Sequence, residues 1–439
     1  MKNLINKHLG DKQLIEYGLI LFSLGIFFLP STLFISILFL LPSAILGSFL
    51  QKNTYFNDKW NYPFLIFGCL ILLSSLLQNY VLINNYNDIW EPINSLIGLG
   101  NWIPFIYFFW SLQPFVDSKS KRRSFALILI AGTFPLLMSG FGQYFFNWTG
   151  PIETLNGLII WYQRPIENPG GLSGLFSNQN YAGSWLNFVW PFCLAVCLEK
   201  RKNLIKKTIS FCFLIGTSFA AFLTYSRNAW IGLFLSLPII IGRRGIKFLY
   251  VLIIIFLFVF FFILSKNFTG DIQNNLSKLI PTKILLEFSD DGYQGLDSTR
   301  IEIYTSAINL IKTNPFFGIG AASFPQIYFL ETNFWKGHSH NLLLELALSY
   351  GLPSTIIFFL TTNLILFLSF LVIFKNKNKE SISLFDKAFW GALFIFLLSQ
   401  LFDVQYFDGK LSIVMWILLA GLKNIIEDKS NKKIMPINS

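Results

Sequence analysis

The chain has 439 residues, of which 54% are apolar, 18% aromatic and only 13% charged. An average soluble protein carries roughly 25% charged residues, so about half of the usual charge is missing while 50 positions are Phe. A soluble enzyme, a secreted disulfide scaffold and a disordered chain are excluded at this step, and the formal charge of +11 acquires meaning only from where the basic residues stand.

A bilayer core of ~30 Å takes ~20 apolar residues of helix. Such runs predict about twelve spans, near 14–30, 32–50, 63–83, 93–115, 124–146, 181–198, 208–225, 228–241, 246–265, 352–374, 385–401 and 411–423. The run at 246–265 has no charge after Lys247, whereas 228–241 and 411–423 are short. With the N-terminus inside, 25 of the 34 basic residues fall in inside segments, among them Lys119, Lys121, Arg122, Arg123, Lys206, Lys207, Arg243 and Arg244. Six of the other nine lie in one long outside segment. The bias recurs at every short loop, as the positive-inside rule requires, so both termini are expected to be cytoplasmic. The basic excess then faces membrane lipids, and no nucleic-acid partner is expected.

The N-terminal apolar run continues into a second hydrophobic segment, so no cleavable signal peptide is expected. Cys69, Cys193, Cys197 and Cys212 all fall within expected spans and read as small apolar residues rather than disulfide partners. Three His, none clustered with Cys, argue against a structural zinc site. The chain divides into spans 1–5 (residues 1–165), a core of spans 6–10 (166–374) that includes the external loop 266–337, and spans 11–12 with a cytoplasmic tail (375–439).

Three outside stretches are unusual. The first, 147–180, is rich in Gly, Asn and Pro. The second is the junction TYSRNAW, Thr224 to Trp230, between two apolar runs. The third, 266–337, is too long for a simple connection and is expected to be folded. Arg227 stands where two apolar runs meet, at the outer edge of the hydrocarbon. Such an Arg either snorkels to lipid headgroups or offers its planar fork to a phosphate.

Within the third stretch, residues 298–313 have apolar side chains at Ile301, Tyr304, Ile308 and Ile311, which predicts a helix lying on the membrane or on the bundle. Asp297 or Ser298 can cap it. Arg300 then falls in its first turn, an unfavourable place for a cation unless an anion bound there shares it. Next, Pro315 stops the helix while Gly318 and Gly320 permit a tight turn. In HSHNLLLELALSYGLP, His338 to Pro353, Asn341 is the expected N-cap and Gly351 the stop. His340, at the positive end of that short helix, is expected to be neutral and able to accept a proton. The bland alternative is a hydrated loop His. The H-x-H pair would need a third ligand to hold a metal, and only Glu331 or Glu345 suggests itself. Glu345, on an apolar helix, needs a partner, either an Arg or His340.

Taken in order, the loop G-L-F-S-N-Q-N ending at Asn180, the Y-S-R of Tyr225 to Arg227, S-T-R at 298–300, N-P-F-F-G-I-G at 314–320 and H-N-L-L-L-E-L-A-L-S-Y-G from His340 to Gly351 resemble the O-antigen ligase and O-antigen polymerase superfamily of bacterial envelope glycan transferases. The motifs cover roughly residues 170–370. The resemblance implies an all-α polytopic membrane protein of about 12 transmembrane helices, similar to type C glycosyltransferases, with a long helical periplasmic loop between spans 9 and 10. It implies transfer of a glycan from a polyprenyl (undecaprenyl) diphosphate carrier to an acceptor hydroxyl on a lipid or glycan, at the periplasmic face of the inner membrane.

Carried over residue by residue, His340 is the catalytic base and Arg227 and Arg300 hold the diphosphate. Asn180, Tyr225, Asn341, Glu345, Gly318, Gly320 and Gly351 support them, and no cofactor or metal is implied. Two Arg can stabilise the leaving diphosphate without a divalent cation, and one displacement would invert the anomeric centre. The alternative is a multi-span solute carrier, a bicarbonate-like label that some superfamily members have borne. Against it, the spans are poor in midplane charges.

Overall fold

The computed structural model describes residues 10–52, 54–80, 90–166, 170–199, 203–251, 254, 300–375 and 383–434. In chain order its helices are α1 (Asp11–Phe28), α2 (Leu33–Leu50), α3 (Asn61–Tyr80), α4 (Ile93–Gly98), α5 (Ile103–Ser111), α6 (Lys119–Gly132), α7 (Phe134–Phe146), α8 (Gln179–Leu198), α9 (Leu204–Leu223), α10 (Arg227–Ile241), α11 (Arg300–Thr313), α12 (Phe324–Thr332), α13 (Leu342–Tyr350), α14 (Leu352–Phe374), α15 (Leu384–Ser399) and α16 (Gly409–Ile434). Among the described residues, seven helical runs are long and apolar enough to cross a membrane: α2, α3, α6 with α7, α8, α9, α14 and α16 up to Asp428. The chain is a multi-pass membrane protein. α10 and α15 occupy expected spans but have 15 and 16 residues, and most of the span expected at 246–265 lies outside the described residues.

Two expected spans are broken. The run 93–115 divides into α4, a 3₁₀ turn (Leu99–Asn101), α5 and a second 3₁₀ turn (Gln113–Phe115). Pro stands at the first or second position of both α5 and the last turn, where its missing N–H is tolerated and the preceding helix cannot continue. The run 124–146 likewise breaks at Thr133, between α6 and the Pro-led α7. One short hairpin departs from the all-α expectation: β1 (Ile152–Thr154) pairs antiparallel with β2 (Ile159–Trp161). The turn between them places Leu155, Asn156 and Gly157 at positive φ.

α8 is the axis of the bundle. It packs against α6, α9, α10 and α15, and all of its residues from Ala182 to Val196 are buried. α16 is similarly enclosed by α5, α14 and α15. Peripheral helices instead expose large apolar side chains such as Leu38, Ile215, Leu360 and Phe367, the surface that a hydrocarbon solvent permits. Cys69, Cys193, Cys197 and Cys212 all stand within helices.

Each end of the bundle gathers segments that the charge pattern puts on one side. At one end Arg122 Nε meets Asp386 at 2.7 Å, Arg123 pairs with Glu199 through two bonds of 2.7 and 2.9 Å, and Lys423 meets Asp58 at 2.6 Å. At the other, Lys410 Nζ donates to Pro30 O and Leu175 O at 3.1 Å, and Trp161 Nε1 donates to Ser31 O. A second small core sits at that end. Ile303, Ala307, Leu310 and Ile311 of α11 pack with Phe324, Ile327 and Tyr328 of α12 and with Ala347 and Leu348 of α13. The helix expected at 298–313 is therefore present from Arg300 onward, but only half of its expected stripe is buried: Ile311 lies in this core and Tyr304 packs against it. Ile301 and Ile308 are exposed, because α12 and α13 approach from the side of Ile303 and Ala307. The caps Asp297 and Ser298 lie outside the described residues.

Candidate functional site

The site is built around the loop 400–408 that joins α15 to α16. Gln400 shapes it: its side-chain oxygen accepts from the N–H groups of Gln405 and Tyr406 at 2.9 and 3.0 Å, and its amide donates to Gln405 Oε1 at 2.8 Å. Three other elements attach to this loop. Asn341, the N-cap of α13, accepts from Leu343 and Leu344 N–H and donates to Leu401 O at 3.1 Å. Arg300, the first residue of α11, donates through Nη1 to Phe402 O, and Tyr304 one turn later donates to Leu401 O at 3.3 Å. Asn180, in the first turn of α8, donates to Asp403 Oδ2 at 3.2 Å.

Asp403 is the centre of these contacts. Its Oδ1 lies 3.0 Å from His340 Nδ1 and 3.7 Å from His338 Nε2, and accepts from Val404 N–H at 3.1 Å. Its Oδ2 also accepts from Gln405 Nε2 at 2.9 Å. Burial would push this carboxyl up, yet the His340 hydrogen bond, the two nearby imidazoles and Gln405 together hold it below the usual carboxylate value. An ionised Asp403 accepts a proton-bearing Nδ1 from His340, which leaves Nε2 of that ring with its lone pair. A base so oriented is the arrangement that general-base chemistry needs.

Arg227 opens α10 with Ser226 as its N-cap residue. Its side chain is exposed at the same end of the bundle. The link to the cluster runs through α8: a Cβ on Gly183 would touch Ser226 at 3.1 Å, and Asn180 lies one turn earlier on that helix. Both arginines thus stand at helix N-termini, where backbone N–H groups and the helix dipole add to their positive potential. Tyr225, at φ 51°, shares a hydrogen bond of 2.6 Å with Tyr144; burial and that partner push its phenol up to about 12, so it stays neutral and structural.

The glycine motif is architecture. Gly318 adopts φ +70° and Gly351 φ +89°, and a Cβ on either would run into a backbone carbonyl, Leu348 O or Phe316 O. The close approach allows Ile319 N–H to bond Leu348 O and Leu352 N–H to bond Pro315 O, both at 2.7 Å. Gly320 lies against the Trp90 ring. The 314–320 turn thereby clamps the far end of α13, the helix whose N-cap Asn341 follows His340.

Residues 211–359 match the sequence model of the family described as O-antigen ligase. Over that segment the chain is similar to the O-antigen ligase family. The matched segment, about a third of the chain, contains Arg227, Arg300, His340 and Gly351, and ends before Asp403. A search of curated proteins finds no match. That match supports glycan transfer from lipid-linked substrates in a membrane.

Asp403 is the residue that sequence reasoning missed for this site. It lies 63 positions from His340, in the short loop between α15 and α16 without any motif; its one signal is a carboxylate in the gap between two expected spans, a signal that Asp408 gives equally. Glu345 was expected to meet an Arg or His340 directly. It instead accepts the buried Ser339 N–H at 2.9 Å, and burial, opposed by that bond, pushes its carboxyl up. Gln at this position can still accept that N–H. Glu345→Gln is therefore expected to melt within a few degrees of wild type, whereas Glu345→Ala, leaving a buried donor unpaired, is expected to lose about 1–3 kcal/mol; thermal unfolding in detergent reads both.

The third ligand imagined for the H-x-H pair is also neither Glu331 nor Glu345. Among the described residues, His338, His340 and Asp403 bring their ligand atoms within 4.8 Å of one another. A narrow apolar cleft of about 120 Å³ opens beside this group between α14 and α15, lined by Leu342, Leu343, Phe358, Phe359, Leu397 and Leu401 among others.

Proposed function

We propose that this chain transfers a glycan from a polyprenyl diphosphate carrier to an acceptor hydroxyl at the periplasmic face of the inner membrane, inverting the anomeric centre in one displacement. The observation that carries the reading is the loop 400–408, on which His340 gains an ionised carboxylate partner and Arg300 is anchored, within a chain similar to the O-antigen ligase family. In the step, the acceptor oxygen bonds to the anomeric carbon and its proton passes to His340 Nε2. The bond from that carbon to the diphosphate oxygen breaks, and the electron pair leaves with the diphosphate. Arg227 and Arg300 offset the charge that grows on that leaving group, each aided by a helix N-terminus. The cleft between α14 and α15 begins at Leu342 and Leu401, next to Asn341 and near Asp403, and suits the first isoprene units of the carrier.

The test is transfer of labelled glycan from carrier lipid by the purified protein. Arg227→Ala, Arg300→Ala and His340→Gln are each expected to reduce transfer by at least about 100-fold while the protein stays folded and inserted, and Arg227→Lys is expected to rescue poorly because a point charge lacks the bidentate fork. Near-normal rates in all three would remove the mechanism. Solute uptake into proteoliposomes that survives His340→Ala would instead favour a carrier. In a deletion strain, unattached carrier-linked polymer would mean a ligase and single-repeat chains a polymerase.

A further inference from the structure

His338 has no part in the mechanism above, yet its geometry is specific. Its Nδ1 accepts the backbone N–H of His340 at 3.1 Å, which requires a lone pair on Nδ1. The neutral ring therefore carries its proton on Nε2, and Nε2 faces Asp403 Oδ1 at 3.7 Å, the same oxygen that His340 Nδ1 meets at 3.0 Å. The two imidazoles lie edge to face with centroids 4.5 Å apart. His340 holds φ 54°, a left-handed conformation that L side chains rarely adopt, and the His338 acceptor receives the N–H that this conformation turns toward it.

A metal shared by His338, His340 and Asp403 is the rival use of this cluster. A metal-bound His donates through its other ring nitrogen, whereas His338 would have to accept at Nδ1 and coordinate through Nε2 at once. The contacts fit ring N–H groups converging on one carboxylate better than a cation.

We infer that His338 is a positioning residue: its Nε2–H steadies Asp403, so that the carboxylate takes the His340 Nδ1–H and leaves Nε2 of His340 as the base. The inference rests on the proposed role of His340. At 3.7 Å the contact is electrostatic, a ring N–H dipole facing a carboxylate, rather than a full hydrogen bond. The charged and titratable groups that His338 faces are His340, Asp403 and Arg300, and burial above all, then His340, brings its pKa down to about 4. It therefore remains a neutral donor across the physiological range.

The chain has only three His, so ¹⁵N-histidine labelling of the full-length protein, with His8→Gln as background, resolves both rings. His338 is expected as the Nε2–H tautomer and His340 as the Nδ1–H tautomer. Two variants separate positioning from structure. In His338→Asn the side-chain oxygen still accepts the N–H two residues on, an Asx turn, but nothing reaches Asp403. In His338→Gln the amide nitrogen stands about where Nε2 was, but the turn acceptor is lost.

Transfer measured in membranes from the deletion strain is expected to show an about 10-fold lower kcat for His338→Asn with KM within two-fold, and mixed His340 tautomers. His338→Gln is expected to recover most of that rate. A purely structural role reverses the order, with Asn the better variant, and would overturn the inference. So would an Nδ1–H tautomer at His338, or activity lost to a chelator and restored by zinc alone. The spectrum is read without any transfer, so an inactive wild-type protein counts against the proposed function while the tautomers still decide the role of His338.

Discussion

Replacing Asp403 by Asn is expected to lower glycan transfer about 10³–10⁴-fold while leaving the protein folded. The size of the effect follows from the tautomer. Asp403 accepts from His340 Nδ1 at 3.0 Å, so the proton sits on that nitrogen and Nε2 is free. An Asn amide at 403 can present N–H to Nδ1, which moves the imidazole proton to Nε2, the atom that has to receive the acceptor's proton. The same exchange in a Ser-His-Asp triad costs about 10⁴ in kcat with the geometry intact. Most other contacts survive, since the variant's amide oxygen stands where Oδ2 was and still accepts from Asn180 and Gln405, and only Val404 N–H, bonded to the same oxygen as His340, loses its acceptor. Initial rates set against thermal unfolding check the claim: a proportional loss of stability would mean that Asp403 is structural, and a loss below ten-fold would mean that His340 does not depend on it. Because the Asp403 carboxyl lies below its ordinary value, its stabilising effect is complete above that ordinary value and is lost only as pH falls through the lowered one. A fall in rate on mild acidification therefore reports a group other than Asp403.

The sequence showed its membrane character and its motif residues clearly, because both are local. Apolar runs locate helices one at a time, and Asn341 with Gly351 marks the ends of α13 without reference to anything else. Arg227 and Arg300 were legible as cations at two helix starts, where lipid headgroups or water also accommodate them. What stayed hidden depends on which surfaces meet. The amphipathic stripe on α11 reads as Ile301, Tyr304, Ile308 and Ile311 because periodicity gives neighbouring faces, and only the arrival of α12 and α13 shifts it to Ile303, Ala307 and Leu310 while keeping Ile311. The partner of His340 was sought on its own helix, where Glu345 stands five residues away. In the fold the left-handed turn at His340 aims its ring at the loop after α15, while Glu345 reaches back to Ser339. No spacing rule connects positions 340 and 403, since the intervening helices can return the chain to the same place with any number of residues.

Arg122 gives the largest expected effect on stability, although the charge pattern marks it only as one more inside cation. Its side chain is 1% exposed. Nε donates to Asp386 Oδ1 at 2.7 Å, and Nη1 to Val116 O and Asp117 O at 3.2 and 3.1 Å. Removing one partner of such a pair leaves a buried charge uncompensated, for which about 3–5 kcal/mol is typical, whereas replacing both by apolar groups is often neutral. Arg122→Leu is therefore expected to lower the melting temperature and the membrane yield sharply, and Arg122→Leu with Asp386→Leu to recover most of the loss. Arg123→Ala serves as the control, because the Arg123–Glu199 pair is partly exposed and such pairs contribute about 1 kcal/mol or less. The Arg122–Asp386 pair joins α6 to α15 at the opposite end from Asp403, and α15 is the helix that delivers the 400–408 loop. Its loss should reduce the fraction of folded molecules rather than the rate of each one. Transfer normalised to folded protein is expected to be unchanged in the double variant; a fall in that normalised rate would mean that the far end of α15 sets the position of Asp403.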